Sequence, residues 1–200
     1  MNLSFSTRGW PELSWDEMMA LATDMGFNGI EVYNLPKFDP MLDRSGPFHK
    51  YQAAATVRQL KEKNLSIPCF DTSCDLSSDP DCVPFLQTLL EVAKNARVPY
   101  VSAVALTENE AAVKENLTAL LADARAKDVT ILIKTSGIYA DTARLRTLLD
   151  EFACDELAVL WDVHHPFRDF QEKADTTIKT WATTSAMSIC GIPMMMASMI

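Results

Sequence analysis

Short apolar runs alternate with stretches of helical periodicity along most of the 200 residues. An apolar run of about 4–8 residues between polar neighbours is the pattern of a strand buried on both faces. Apolar residues spaced three and four apart mark a helix with one buried stripe. These patterns predict strands at Leu3–Thr7, Gly29–Tyr33, Ser66–Asp71, Tyr100–Ala105, Thr130–Lys134 and Leu157–Trp161. The first helix opens with a capping box, Ser14-Trp15-Asp16-Glu17, carries Trp15, Met18, Ala22 and Met25 as its stripe, and stops at Gly26. Further helices are expected over 48–63, from Asp79 or Asp81 to about Arg97, over 110–127, from Asp141 or Thr142 through Phe152, and from Asp169 to Lys179. Residues 34–47 hold three prolines and no periodicity, so a loop over one face is expected there.

Six strands, each followed by a helix across a short connection, specify an α/β fold with a parallel sheet flanked by helices. Either a doubly wound sheet or a (β/α)8 barrel lacking its last units fits. No Gly-x-Gly-x-x-Gly follows the first strand and no Walker-type loop occurs, which removes the main nucleotide-binding readings.

Composition narrows the partners. The net charge of -9 disfavours a nucleic-acid surface, whose affinity rests on cations meeting phosphates. The amino terminus lacks the basic and apolar regions of a signal peptide, and no apolar stretch approaches the roughly 20 residues of a membrane span. Five cysteines without a CxxC pair read as reduced thiols, so a cytoplasmic location is expected.

Chemistry concentrates after the sixth strand. The run Leu157-Ala158-Val159-Leu160-Trp161 ends in Asp162, with His164, His165 and Arg168 close behind. A carboxylate and imidazoles at the carboxyl end of a buried strand occupy the edge where α/β folds place their sites. The plainer alternative is a polar loop with surface histidines.

These motifs resemble the xylose-isomerase-like barrels, a superfamily of sugar and sugar-phosphate isomerases and epimerases that includes endonuclease IV. The resemblance covers Met1 to about Lys179. It is carried by Gly26-Phe27-Asn28-Gly29-Ile30-Glu31, by the segment ILIKTSGIYADT (residues 131–142) and above all by WDVHHPFRD (residues 161–169), matching the family's Asp-x-x-His at Asp162 and His165. It implies a TIM barrel, incomplete at about six of eight βα units, acting on a small sugar or sugar phosphate. In the family, strand-end side chains hold a divalent metal (Mn, Mg, Co or Zn) that polarises a hydroxy-carbonyl unit while carboxylates move a proton. The resemblance thus implies Asp162 as metal ligand, His165 as a catalytic or second-layer residue, and Glu31, His164 and Arg168 as substrate contacts. Glu31 could equally be a polar residue packed on a helix, and His164 could turn into helix packing.

The chain departs from the family pattern. Lys134 stands where the family has a metal-binding glutamate after strand five, and strands seven and eight with their ligands are missing. Metal is therefore not expected to be retained. Alternatives are a Schiff-base enzyme using Lys134 and a non-catalytic remnant; an endonuclease would need a basic groove and three metals. A barrel short of two units is expected to self-associate through its open edges.

Residues 180–200 (TWATTSAMSICGIPMMMASMI) carry no charge and half of the chain's ten methionines, so the barrel domain is drawn at 1–179. Shifting the reading frame so that each codon takes the last base of one residue's codon and two of the next gives a different picture. Trp181–Ala182 then forces glycine, Met194–Met196 force two aspartates, and the junctions around Met187 permit His-Val-His. The shifted string resembles the family's seventh strand with its metal-binding histidine, so this tail is expected to be a frameshift product. The base sequence of the gene there decides it.

Overall fold

All six expected strands form, and they lie in one parallel sheet in the order β1-β2-β3-β4-β5-β6. They span Ser4–Ser6 (β1), Gly29–Tyr33 (β2), Cys69–Asp71 (β3), Tyr100–Ala103 (β4), Thr130–Lys134 (β5) and Leu157–Leu160 (β6) in a computed structural model that describes residues 2–35 and 40–181. A doubly wound sheet reverses its strand order partway across. Sequential order without reversal is the barrel arrangement, here with six strands among the described residues, and it brings every strand's carboxyl end to one edge.

Period-two alternation splits the buried residues between two cores. Phe5, Ile30, Val32, Phe70, Val101, Ile131, Ile133 and Val159 face the helices and join the large cluster that includes Met18, Leu86, Leu90, Leu117 and Leu120. Cys69, Leu132, Ala158 and Leu160 form a separate cluster on the inner face, with Tyr100 against it. Lys134, two positions beyond Leu132, and Asp71, two beyond Cys69, continue that inner face toward the carboxyl edge.

Among the described residues seven α-helices follow the strands: α1 Trp15–Asp24, α2 Ala53–Glu62, α3 Cys82–Ala96, α4 Glu110–Lys127, α5 Thr142–Phe152, α6 His164–Phe170 and α7 Ala174–Trp181. The capping box opens α1: the Glu17 carboxylate accepts from Ser14 N at 2.8 Å, and Ser14 Oγ accepts from Glu17 N at 3.4 Å. Asp141, not Thr142, caps α5, accepting from the amides of Ala143 and Arg144. Four connections back to the sheet share one geometry. Gly26, Asn64, Arg97 and Asp128 adopt positive φ, and the next residue's N–H donates back to the helix: Phe27 to Ala22, Leu65 to Leu60, Val98 to Ala93 and Val129 to Ala124.

Several expectations are corrected. β3 begins at Cys69 because Pro68 has no N–H for the ladder; Ser66 keeps only an isolated bridge to Gly29. α2 begins at Ala53, preceded by turns that bury Phe48 edge-on between Trp15 and Phe70. Met25 lies past the end of α1 and is exposed, Met19 taking its place in the stripe. The last helix is two helices, broken where Gln171 turns left-handed. α7 runs past Lys179, and Trp181 is buried in the outer core. Cys74 and Cys82 form a disulfide across the loop after β3, so not all cysteines are free thiols; a chain reversal brings their Cα atoms to 5.5 Å. Within the expected loop, 40–42 form a 3-10 turn. Residues 36–39 of that loop and the rest of the tail, 182–200, lie outside the described residues.

Candidate functional site

Three charged side chains meet where β2, β3 and β5 approach the carboxyl edge. β5 ends in Lys134 and β3 ends in Asp71. Lys134 Nζ lies 2.5 Å from Asp71 Oδ1 and donates to the Thr72 carbonyl at 3.1 Å. The same Asp71 oxygen accepts a hydrogen bond from Ser102 Oγ on β4, whose hydroxyl also accepts from Thr72 N at 2.9 Å. Asp71 and Ser102 are both buried, so this pair is fixed from three strands.

Glu31 completes the group from β2, level with Ser6 on β1. Burial, then the like charge of Asp71, pushes its carboxyl up to about 6, against the opposing pull of the Ser6 hydroxyl, Lys134 and Arg8. A carboxyl poised there exchanges a proton readily near neutrality. On the rim, the Arg8 guanidinium stacks over the Tyr33 ring at 4.8 Å, and the Tyr33 hydroxyl meets Ser73 Oγ at 2.6 Å.

The Asp162 group forms a second arrangement. Asp162 sits two residues beyond β6, and its backbone is clamped by Thr135, whose Oγ1 accepts from Asp162 N at 2.8 Å and donates to its carbonyl at 3.1 Å. His164 and His165 lie in the first turn of α6, not in a loop. His165 Nε2 stands 3.7 Å from Asp162 Oδ2, and Nδ1 stands 3.7 Å from Asp169 Oδ2. His164 does not turn into helix packing: it is exposed, and its amide donates to Asp162 Oδ1 at 2.9 Å. Arg168 is exposed and paired with Asp169 at 2.6 Å. Thus Glu31 and Lys134 share one cluster, Asp162 and His165 share another, and His164 and Arg168 lie on the surface of α6.

Asp71, Ser102 and Arg8 escaped the sequence reading. Asp71 ends an apolar run, as Asp162 does, and the same strand-end argument would have found it. Ser102 sits mid-run in an apolar strand, where a serine reads as filler.

The donors do not fit the divalent metal that the fold family implies. Among the described residues no three His, Cys, Asp or Glu side chains are grouped to hold one. At the strand-five position, the Lys134 ammonium already occupies Asp71. An ammonium held there also has no lone pair for attack on a carbonyl, which weighs against the Schiff-base alternative.

The sequence matches the family described as xylose isomerase-like TIM barrel over residues 19–195. Among solved structures, the 3-keto-D-glucoside 4-epimerase YcjR of E. coli is similar with a TM-score of 0.67 and 12% identity, over 90% of this chain and 74% of that one. A xylose isomerase domain containing protein from Salmonella typhimurium LT2 gives 0.68 and 16%, over 94% and 67%. The IOLI protein with a bound zinc atom gives 0.66 and 17%, over 82% and 64%. Among curated proteins, none matches this sequence.

Proposed function

Because the chain belongs to the xylose isomerase-like TIM barrel family, we propose that it is of sugar isomerase or epimerase type and moves a proton between adjacent carbons of a hydroxy-carbonyl sugar. The observation that carries this reading is Glu31: a half-buried carboxyl beside Asp71, raised to about 6, at the carboxyl edge of a parallel barrel sheet. Glu31 is the acid–base group, Asp71 and Ser102 hold Lys134, and Arg8 and Tyr33 form the rim that a sugar would pass. Asp162, just beyond β6, and His165 on α6 form the separate pair assigned to the far end of a bound sugar. The described residues supply no metal centre in this reading, although the similar IOLI structure carries zinc.

The test is proton exchange into solvent. The protein is incubated in D2O with D-fructose or D-fructose 6-phosphate, and the carbon-bound protons beside the carbonyl are followed by NMR. Exchange above the rate without protein, lost in Glu31→Gln, is the expected result. Exchange that survives Glu31→Gln would remove Glu31 from the role, and no exchange with either sugar, with or without added Mn2+, would refute the isomerase-type reading for these ketoses.

A further inference from the structure

We infer that the Lys134 ammonium is this site's resident cation, doing with a side chain what a divalent metal does elsewhere on this fold: holding the substrate's carbonyl oxygen and meeting the charge that builds on it. The inference rests on the proposed proton transfer and concerns which positive charge serves it.

The argument is a count of donors and charges. A lysine ammonium has three N–H donors and no acceptor. In Lys134 one N–H faces Asp71 Oδ1 at 2.5 Å and one goes to the Thr72 carbonyl at 3.1 Å. The third is unclaimed among the described residues. The side chain is largely buried, at 16% exposure, so its charge is poorly screened, as an electrostatic catalyst requires. It is also held still. Asp71 is gripped by Ser102, Thr72 is tied to Ser102 through both its amide and its hydroxyl, and Leu132 anchors the lysine's own strand in the inner core. Preorganised charge of this kind needs no rearrangement as the reaction proceeds.

Charge balance points the same way. Asp71, Glu31 and Lys134 form two carboxyls around one cation. A divalent ion here would meet a fixed positive charge a few ångströms away. A neutral carbonyl oxygen, turning anionic, would meet an unused donor. The step closes without another reagent. The Glu31 carboxylate takes the proton from the carbon beside the carbonyl, the C–H electron pair becomes the C=C bond of an enediolate, and the carbonyl π pair moves to oxygen, where the third Lys134 N–H receives it. Glu31 then returns the proton to the former carbonyl carbon, while the neighbouring hydroxyl's proton passes to the former carbonyl oxygen, giving the isomer.

The experiment uses the full chain, dialysed against EDTA, in the same D2O exchange assay. In parallel, Mn2+ is titrated in while the Glu31 carboxyl and Lys134 Nζ resonances of isotope-labelled protein are watched for paramagnetic broadening. The expected result is exchange that persists in EDTA, falls by at least about 100-fold in Lys134→Met, and is accompanied by no selective broadening at stoichiometric Mn2+. Lys134→Arg, which keeps the charge, covers the case in which Lys134→Met does not fold: it should retain metal-independent exchange. Exchange that appears only with Mn2+, or selective broadening of Glu31 at stoichiometric Mn2+, overturns the inference and leaves the proposed function standing. Absence of exchange with and without Mn2+ overturns both.

Discussion

Lys134 and Asp71 end two strands that are not neighbours, and their side chains reach across β4 to meet at 2.5 Å. In a parallel barrel the inner-face residues of alternate strands share a layer, and the curvature of the sheet brings them within reach of one another. Ser102 on the intervening strand contributes its hydroxyl to the same carboxylate. The pair therefore reports both the curvature of the sheet and the position of the site.

Asp71→Asn should be costly. It leaves a largely buried ammonium without its counter-charge, and breaking a buried pair costs about 3–5 kcal/mol. Because Lys134 retains 16% exposure, a loss near the lower end, about 3 kcal/mol, is expected in urea unfolding at neutral pH. A loss below about 1 kcal/mol would show the pair to be solvent-screened.

The pH dependence follows from Glu31, whose carboxyl is raised from 4.5 to about 6. A raised folded-state value means that the native protein binds this proton more tightly than the unfolded chain does. The resulting stability is fully present below about 4.5 and is lost as pH rises through about 6. At 1.36 kcal/mol per unit, its size is about 2 kcal/mol. Glu31→Gln should therefore gain about 2 kcal/mol relative to the parent between pH 4.5 and pH 7. Urea midpoints at the two pH values measure this, and a constant difference would contradict the assigned environment.

At the first helix, Ser14→Ala removes the side-chain half of the capping box and should cost about 1 kcal/mol. Glu17→Gln keeps the reciprocal bond to Ser14 N and should cost less, with equilibrium unfolding ranking the two.

Reduction of Cys74–Cys82 frees a loop whose ends are eight residues apart and should lower stability by about 2–3 kcal/mol on the chain-entropy account. Thermal melts with and without a dithiol reductant provide the check. The parallel comparison in Cys74→Ser should show no further effect of the reductant.

Much of the fold was legible because strands buried on both faces write themselves as uninterrupted apolar runs. Thr130–Lys134 and Glu110–Lys127 form over the residues read from the pattern alone. The choice between barrel and doubly wound sheet was not legible, because strand order is a long-range property and each βα unit looks the same in either. The site was half legible. Lys134 stands out as a charge at a strand end and Glu31 through the family resemblance, while their joint partner Asp71 reads only as the polar end of its strand. The start of α6 was hidden because Asp-x-His-His-Pro reads as a loop, yet Pro166 falls in the first turn of the helix, where its missing N–H costs nothing. The Cys74–Cys82 pairing depends on a chain reversal that spacing does not encode.

The four matching returns from helix to sheet have a practical meaning for anyone who wishes to work with this protein. Only the first uses glycine at its left-handed position; Asn64, Arg97 and Asp128 accept the same backbone with a Cβ attached. Of these, Arg97 carries the greatest steric penalty, since asparagine and aspartate tolerate the left-handed region better. All three lie at the amino-terminal rim of the barrel, the end opposite Glu31, Asp71 and Lys134. Engineering there can toughen the scaffold without touching the chemistry, and Arg97→Gly is the natural first substitution to make.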